Sequence, residues 1–271
     1  MKRILPIILV ALTVTAQAQK IKITTSLAEA VAHPQSVVVL EVKGQGLTAL
    51  PEAIAQCTNL EKIDLSNNAL TSFPAELLQL PKLKIVMMSS NQLTTLPAAI
   101  SSMKSLMQIR LDMNPFLNPN VELKKLAACP NLESLNFSAN KVSVFPAELL
   151  QMKKLTELDL GYGSIKTLPN DIHQMTALKR LVLAKNQLVA LPANFFKLEK
   201  LENLDLSYNN FQSLQTDFTA LPNLEVLDVS FNKLLAAMPA CKHIRYINIT
   251  KTRLNAEKLK WDLGEYATIL M

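Results

Sequence analysis

Three cysteines, three histidines and a set of Asp-x-Ser pairs are the residues whose types could do chemistry in this 271-residue chain. Nucleophilic catalysis needs a base beside the thiol or hydroxyl and an acid that orients the base. Cys57, Cys129 and Cys241 are odd in number and lack CxxC spacing, which argues against a disulfide framework and a thiolate metal site. His33, His173 and His243 are scattered, and none shares an extended face with a Ser or Cys. The pairs Asp64/Ser66, Asp205/Ser207 and Asp228/Ser230 put a carboxylate and a hydroxyl on one face with no base beside them, and read as ordinary solvated positions. Gly161-Tyr162-Gly163 is a bare GxG without the third glycine and long helix of a dinucleotide site. No catalytic set is assembled, so neither an enzyme nor a cofactor is expected.

The elements that position these residues are repeats. Leu178–Lys200 reads LKRLVLAKNQLVALPANFFKLEK, and Leu201–Asn223 follows in the same frame. In the first half, apolar and polar residues alternate, as in a short strand with one buried face. In the second, apolar residues lie three to four apart after a Pro, which suits a single helical or 3₁₀ turn. One such unit cannot bury its leucines alone, but stacked units can. Repeats begin at Val37, Leu60, Leu83, Leu106, Leu132, Leu155, Leu178, Leu201, Leu224 and Ile244, the last incomplete. Asn68, Asn91, Asn114, Asn140, Asn186, Asn209 and Asn232 hold position 9, where the chain leaves the strand, and Gln45 and Gly163 replace it. Pro51, Pro74, Pro97, Pro146, Pro169 and Pro192 hold position 15. These residues resemble the leucine-rich repeat family, of the bacterial LxxLxLxxNxLxxLPxxIxxLxx kind. The resemblance implies an α/β solenoid: a horseshoe with a parallel concave sheet, short helical, 3₁₀ or extended convex segments, and a helical cap at each end.

Residues 1–18 carry Lys2 and Arg3, the apolar run Ile4–Val14 and Ala16-Gln17-Ala18, the pattern of a secretory leader cut before Gln19. An exported protein is therefore expected, periplasmic, secreted or at the cell surface, without stable membrane insertion after cleavage. The net charge of +6 falls to +4 without the leader, and with export this argues against a nucleic-acid partner. Residues 19–36 read as an N-terminal cap, with Ser26 capping a short helix. Residues 37–254 hold the repeats and 255–271 read as a closing helix with Leu259, Leu263 and Tyr266 on one face. Between Leu106 and Leu132 the spacing stretches to 26 residues, and Asn118-Pro119 there predicts an extra helix on the outer face. Cys57 and Cys129 fall in one buried column, three coils apart, too far to bridge at about 5 Å per coil.

Strand positions 3, 5 and 7, with 2 and 8 at the flanks, point away from the leucine core. The first half is plain there, with Lys62, Asp64, Ser66, Ile85, Met87 and Ser89. The second half gathers Tyr162, Lys185, Tyr208 and Phe231 at position 8, with Arg180 and Tyr246 at position 3 and Asp205 and Asp228 at position 5. Exposed aromatics beside Arg are what interface anchors look like. Adjacent Asp205 and Asp228 could share a Ca²⁺, although carboxylates so placed are more often hydrated or paired with a base. The patch and the resemblance together imply a monomeric, non-catalytic binding module for a protein or peptide. A structural or adhesive spacer, or a carbohydrate-binding module, would use the same stack. Gly163 lacks the turn-bonding amide of its neighbours, so Gly163→Asn is expected to be neutral or stabilising unless φ is positive there.

Overall fold

The computed structural model describes residues 23–214, 218–238, 244–263 and 267–271, with no side-chain description over 260–263. The leader, Cys241, His243, and the side chains of Leu263 and Tyr266 therefore lie outside the described residues. Ten repeat strands form: β2 Val39–Glu41, β3 Lys62–Asp64, β4 Ile85–Met87, β5 Gln108–Arg110 and β6 Ser134–Asn136 in the first half. Then come β7 Glu157–Asp159, β8 Arg180–Val182, β9 Asn203–Asp205, β10 Val226–Asp228 and β11 Tyr246–Asn248. The cap strands β1 Ile23–Thr24 and β12 Thr268–Leu270 extend them into one twelve-stranded parallel sheet in sequence order. Register is kept from coil to coil, so Asp159, Val182, Asp205 and Asp228 follow one another along a single row.

The alternation of the strands is why one face is core. In β8 the middle residue Leu181 is fully buried while Arg180 beside it is exposed. After position 15 the chain closes its coil with five-residue 3₁₀ segments, such as Glu52–Gln56 after Pro51 and Ala193–Lys197 after Pro192. Proline fixes φ at the entrance, and its carbonyl accepts the first turn's bond, as Pro51 O does from Ile54 N at 3.0 Å. In the 201 repeat, where Gln215 holds position 15, the described part of the turn is Phe218–Ala220. Phe218 meets Phe196 edge to face at 5.3 Å between centroids, filling the wider convex layer.

The position-9 asparagines bond three ways. Asn186 Nδ2 donates to Leu183 O of its own coil and Leu160 O of the preceding one, both at 3.0 Å, while Oδ1 accepts from Ile165 N at 2.9 Å. The same pattern recurs at Asn68, Asn91 and Asn209. Each amide thus satisfies backbone groups that the turn would otherwise bury unpaired.

The caps follow expectation in part. Helix α1, Leu27–Ala32, is capped by Ser26, whose hydroxyl accepts from Glu29 N. The insert forms α2, Pro119–Ala127, capped by Asn118. At the C-terminus the expected helix over 255–271 is corrected: α3 covers only Ala256–Leu263, and Thr268–Leu270 return as β12 beside β11. Pairing the open edge of β11 satisfies a row of backbone groups that a longer helix would leave bare. Cys57 and Cys129 are buried free thiols, and burial pushes that of Cys129 up to about 11.

Candidate interaction face

Position 8 follows the strand, where each coil bends out of the sheet. Its backbone is left-handed in all ten repeats: Gly44 has φ 69°, and Asn67, Ser90, Met113, Ala139, Tyr162, Lys185, Tyr208, Phe231 and Lys251 lie between 54° and 60°. Glycine and asparagine take this conformation readily, whereas a bulky L-residue pays roughly 1–2 kcal/mol. The first three coils obey that economy with Gly44, Asn67 and Ser90. From Met113 to Lys251 every later coil departs from it, and on four consecutive coils the departing residues are the large Tyr162, Lys185, Tyr208 and Phe231.

In-register stacking turns those four residues into a shelf. Lys185 Nζ sits between two rings, 4.2 Å from the Tyr162 centroid and 5.0 Å from that of Tyr208. On its other side Tyr208 stacks on Phe231 at 4.0 Å and 7°. Tyr162 remains 57% exposed and Tyr208 43% exposed, while Phe231 is half-buried. Tyr208 therefore has Phe231 against one face and the Lys185 ammonium over the other. A sugar stacks on an open ring face, and Tyr208 has none to offer.

The remaining patch residues lie on the floor beside the shelf. Arg180 is exposed at position 3, with Tyr246 half-buried in the same column beyond Asn203 and Val226. Burial and the charge of Asp228 raise the phenol pKa of Tyr246. The carboxylates have scaffold duties that were not foreseen. Asp205 Oδ1 and Asp228 Oδ1 accept the Ser207 and Ser230 N–H groups at 2.9 Å, and Asp64 does the same for Ser66. The Asp-x-Ser pairs are thus local turns rather than merely solvated positions. Asp228 Oδ2 also accepts from Asn248 at 2.9 Å. Burial raises the Asp205 pKa, opposed by the Ser207 hydrogen bonds and reinforced by the charge of Asp228. Asp159 is raised too, first by burial and further by Asp112 and Asp205. Between Asp159 and Asp205 in their row stands the buried Val182, and Gly161 and Ala184 are buried too.

With no positive φ, Gly163 meets the condition under which Asn was expected to be harmless. Its crowding reverses that expectation. A Cβ at 163 would collide with Val142 O and lie 2.8 Å from Asn186 Oδ1. Gly163 N donates to Lys185 O of the next coil at 3.1 Å, while Ser164 N keeps the bond to Val142 O at 2.8 Å that Gln187 N makes to Ile165 O at 2.9 Å.

The leucine rich repeat profile matches residues 58–116, 130–188 and 176–234, more than half of the chain. The chain belongs to the leucine-rich repeat family. Its repeats place it among scaffolds that generally serve protein interaction rather than catalysis. No curated protein sequence matches significantly. Among solved structures, a Leptospira interrogans leucine-rich repeat protein is 22% identical with a TM-score of 0.48, over 92% of this chain and 100% of that one. The ectodomain of the Arabidopsis thaliana membrane receptor kinase GASSHO1/SCHENGEN3, solved in complex with Casparian strip integrity factor 2, is 28% identical with a TM-score of 0.58. That match covers 80% of this chain but 29% of the ectodomain. No helix among the described residues is long and apolar enough to cross a membrane.

The sequence pattern named the shelf residues but missed the left-handed backbone beneath them. The signal was available in Gly44 and Asn67 at the head of the column, the two residue types that favour positive φ.

Proposed function

We propose that this chain is an exported, non-catalytic recognition module that holds an extended protein or peptide segment along the C-terminal half of its concave face. One observation carries the reading: three aromatics and a lysine, two of the rings well exposed, occupy left-handed positions that Gly or Asn takes without strain. Left-handed backbone that carries large, partly exposed side chains, with only their stacking on one another to offset it, points to a role in contact. The shelf bounds one side of the groove, Arg180 and Tyr246 mark the other, and the uncharged Val182 lies on the floor between Asp159 and Asp205. The receptor ectodomain, captured with its bound factor, supports the idea that this architecture receives such partners. The leader pattern supports export.

The test separates strain from recognition. Peptides selected from a displayed random library on the intact chain are titrated against Tyr162→Asn and Tyr208→Asn. Tyr162→Asn is expected to raise stability by up to about 1 kcal/mol, because Asn relieves the left-handed penalty. Tyr208→Asn trades that relief for a lost stacking contact of similar size and should melt near wild type. Both should weaken peptide binding by about 1–2 kcal/mol. A shelf that serves only as a spacer would show the stability pattern with unchanged affinity, and that result would reject the reading.

A further inference from the structure

The ascending segment of each coil, positions 8–13, carries no Asp or Glu in any of the ten repeats. The carboxylates of the repeats lie instead at positions 2–7 or from position 14 onward. In the last six coils these ascending segments carry six cations, Lys141, Lys166, Lys185, Lys233, Lys251 and Arg253, all exposed. None of the six pairs with a carboxylate among the described residues, whereas Lys62, Lys84, Lys125 and Lys179 on other faces each have one. The same segments in the first four coils have no charge of either sign. Register stacks the six coils at about 5 Å each, so the cations share one lateral face roughly 25 Å long.

Apolar side chains stand out from that face. Val144 is 67% exposed, Val189 59% and Leu234 49%, and they occur on every second coil. Single exposed valines are ordinary on a protein surface. Here they rise among unpaired cations, beside the rings of Tyr162 and Tyr208, on a side cleared of acid.

We infer that this lateral face docks on a negatively charged phospholipid surface, a property separate from peptide recognition in the concave groove. Unpaired Lys and Arg are drawn to anionic headgroups, and their long stems let the charges reach that plane. Isolated aliphatic side chains and phenol groups suit the interfacial layer, where each inserts by itself and no matching groove is needed. With the tyrosines on the coils between, one exposed apolar or aromatic group stands on each of five consecutive coils, and an acidic protein segment would have to match that row between its carboxylates. A bilayer imposes no such spacing. Docked in this way, the solenoid lies on its side and its concave face opens along the membrane.

The experiment is co-sedimentation of the intact chain with vesicles of phosphatidylcholine alone or mixed with phosphatidylglycerol, at low and high salt. Binding to the anionic vesicles only, and its loss in high salt, is expected. The triple variant Lys141→Glu, Lys166→Glu and Lys233→Glu should lower the partition coefficient by about a hundredfold. Its melting temperature should stay near wild type, because these side chains have no carboxylate partners to lose. A charge-matched control, Lys104→Glu, Lys197→Glu and Lys200→Glu, alters exposed lysines outside the face and should keep most of the binding. The pair Val144→Ser and Val189→Ser should weaken partition severalfold at unchanged charge. Equal binding to neutral vesicles, or an equal loss in the control, overturns the inference. Binding to polyglutamate without binding to vesicles overturns it in favour of an acidic protein segment. None of these substitutions touches the floor or the shelf, so peptide affinity should survive them whichever way the vesicle result falls.

Discussion

A single missing side chain shows how tightly the coils are fitted. At Gly163 the neighbouring backbone has moved into the space that an amide fills elsewhere. Gly163→Asn should therefore cost about 1–3 kcal/mol, as overpacking does, even though Asn is the residue at most position-9 sites. Urea denaturation reads this directly, and a gain in stability would mean that the turn can reopen to admit the amide. Asp205 is the second telling residue. Its folded pKa is raised, so between the unfolded and folded values the native state holds the extra proton. Its contribution is then fully present below the unfolded pKa and is lost as pH rises through the folded one. Asp205→Asn keeps an oxygen for the Ser207 N–H and removes the repulsion from Asp228. At neutral pH it should be more stable than wild type, with the difference shrinking as the solution is acidified. A difference that grew on acidification would contradict the assigned direction.

Helix α2 is the element that departs most from the repeat, and Glu122 fixes it. That carboxylate is 2% exposed, and its Oε2 accepts from Leu96 N at 2.9 Å. Its Oε1 accepts from the Thr95 hydroxyl at 3.0 Å, and Lys125 closes the cluster by reaching Glu122 at 3.1 Å and Leu96 O at 2.7 Å. Glu122→Ala would leave a buried N–H and an ammonium without their anion, and about 2–4 kcal/mol of destabilisation is expected. Hydrogen exchange should place the damage at Thr95–Leu96 and α2, and a uniform loss of protection would argue against a local clamp. The helix itself was legible, because Asn118-Pro119 announces a start and the repeat spacing leaves room for it. The clamp was not, since nothing in NVELKKLAAC says that its one carboxylate turns inward. Strand β12 escaped for a related reason: three residues, TIL, carry no period, and only the bare edge of β11 makes them a strand. The shelf residues were readable as a column because the repeat frame puts each of them at position 8, although period-2 alternation marks only positions 3, 5 and 7 as outward. Their stacking on one another was not, since it depends on a backbone angle that residues from Gly44 to Phe231 all share.

Across the whole molecule each coil touches only its neighbours, so stability is shared along the stack. Leu181 is fully buried at the middle of that stack, and Leu181→Ala should cost about 2–5 kcal/mol. An unchanged denaturation midpoint would remove the register on which every column described above depends. The stacking has one more result, which concerns arithmetic. Coils succeed one another at about 4.8 Å, while like-facing residues of an extended chain recur at about 6.6 Å. Laid along the shelf, a bound segment and the row beneath it behave as two rulers of different pitch. Over four coils they agree at one place, near which a side chain meets its coil squarely, and they drift apart on either side. Only the side chain at that place is met squarely by its coil, so the mismatch of the two scales limits how many residues of the segment the row can discriminate at once.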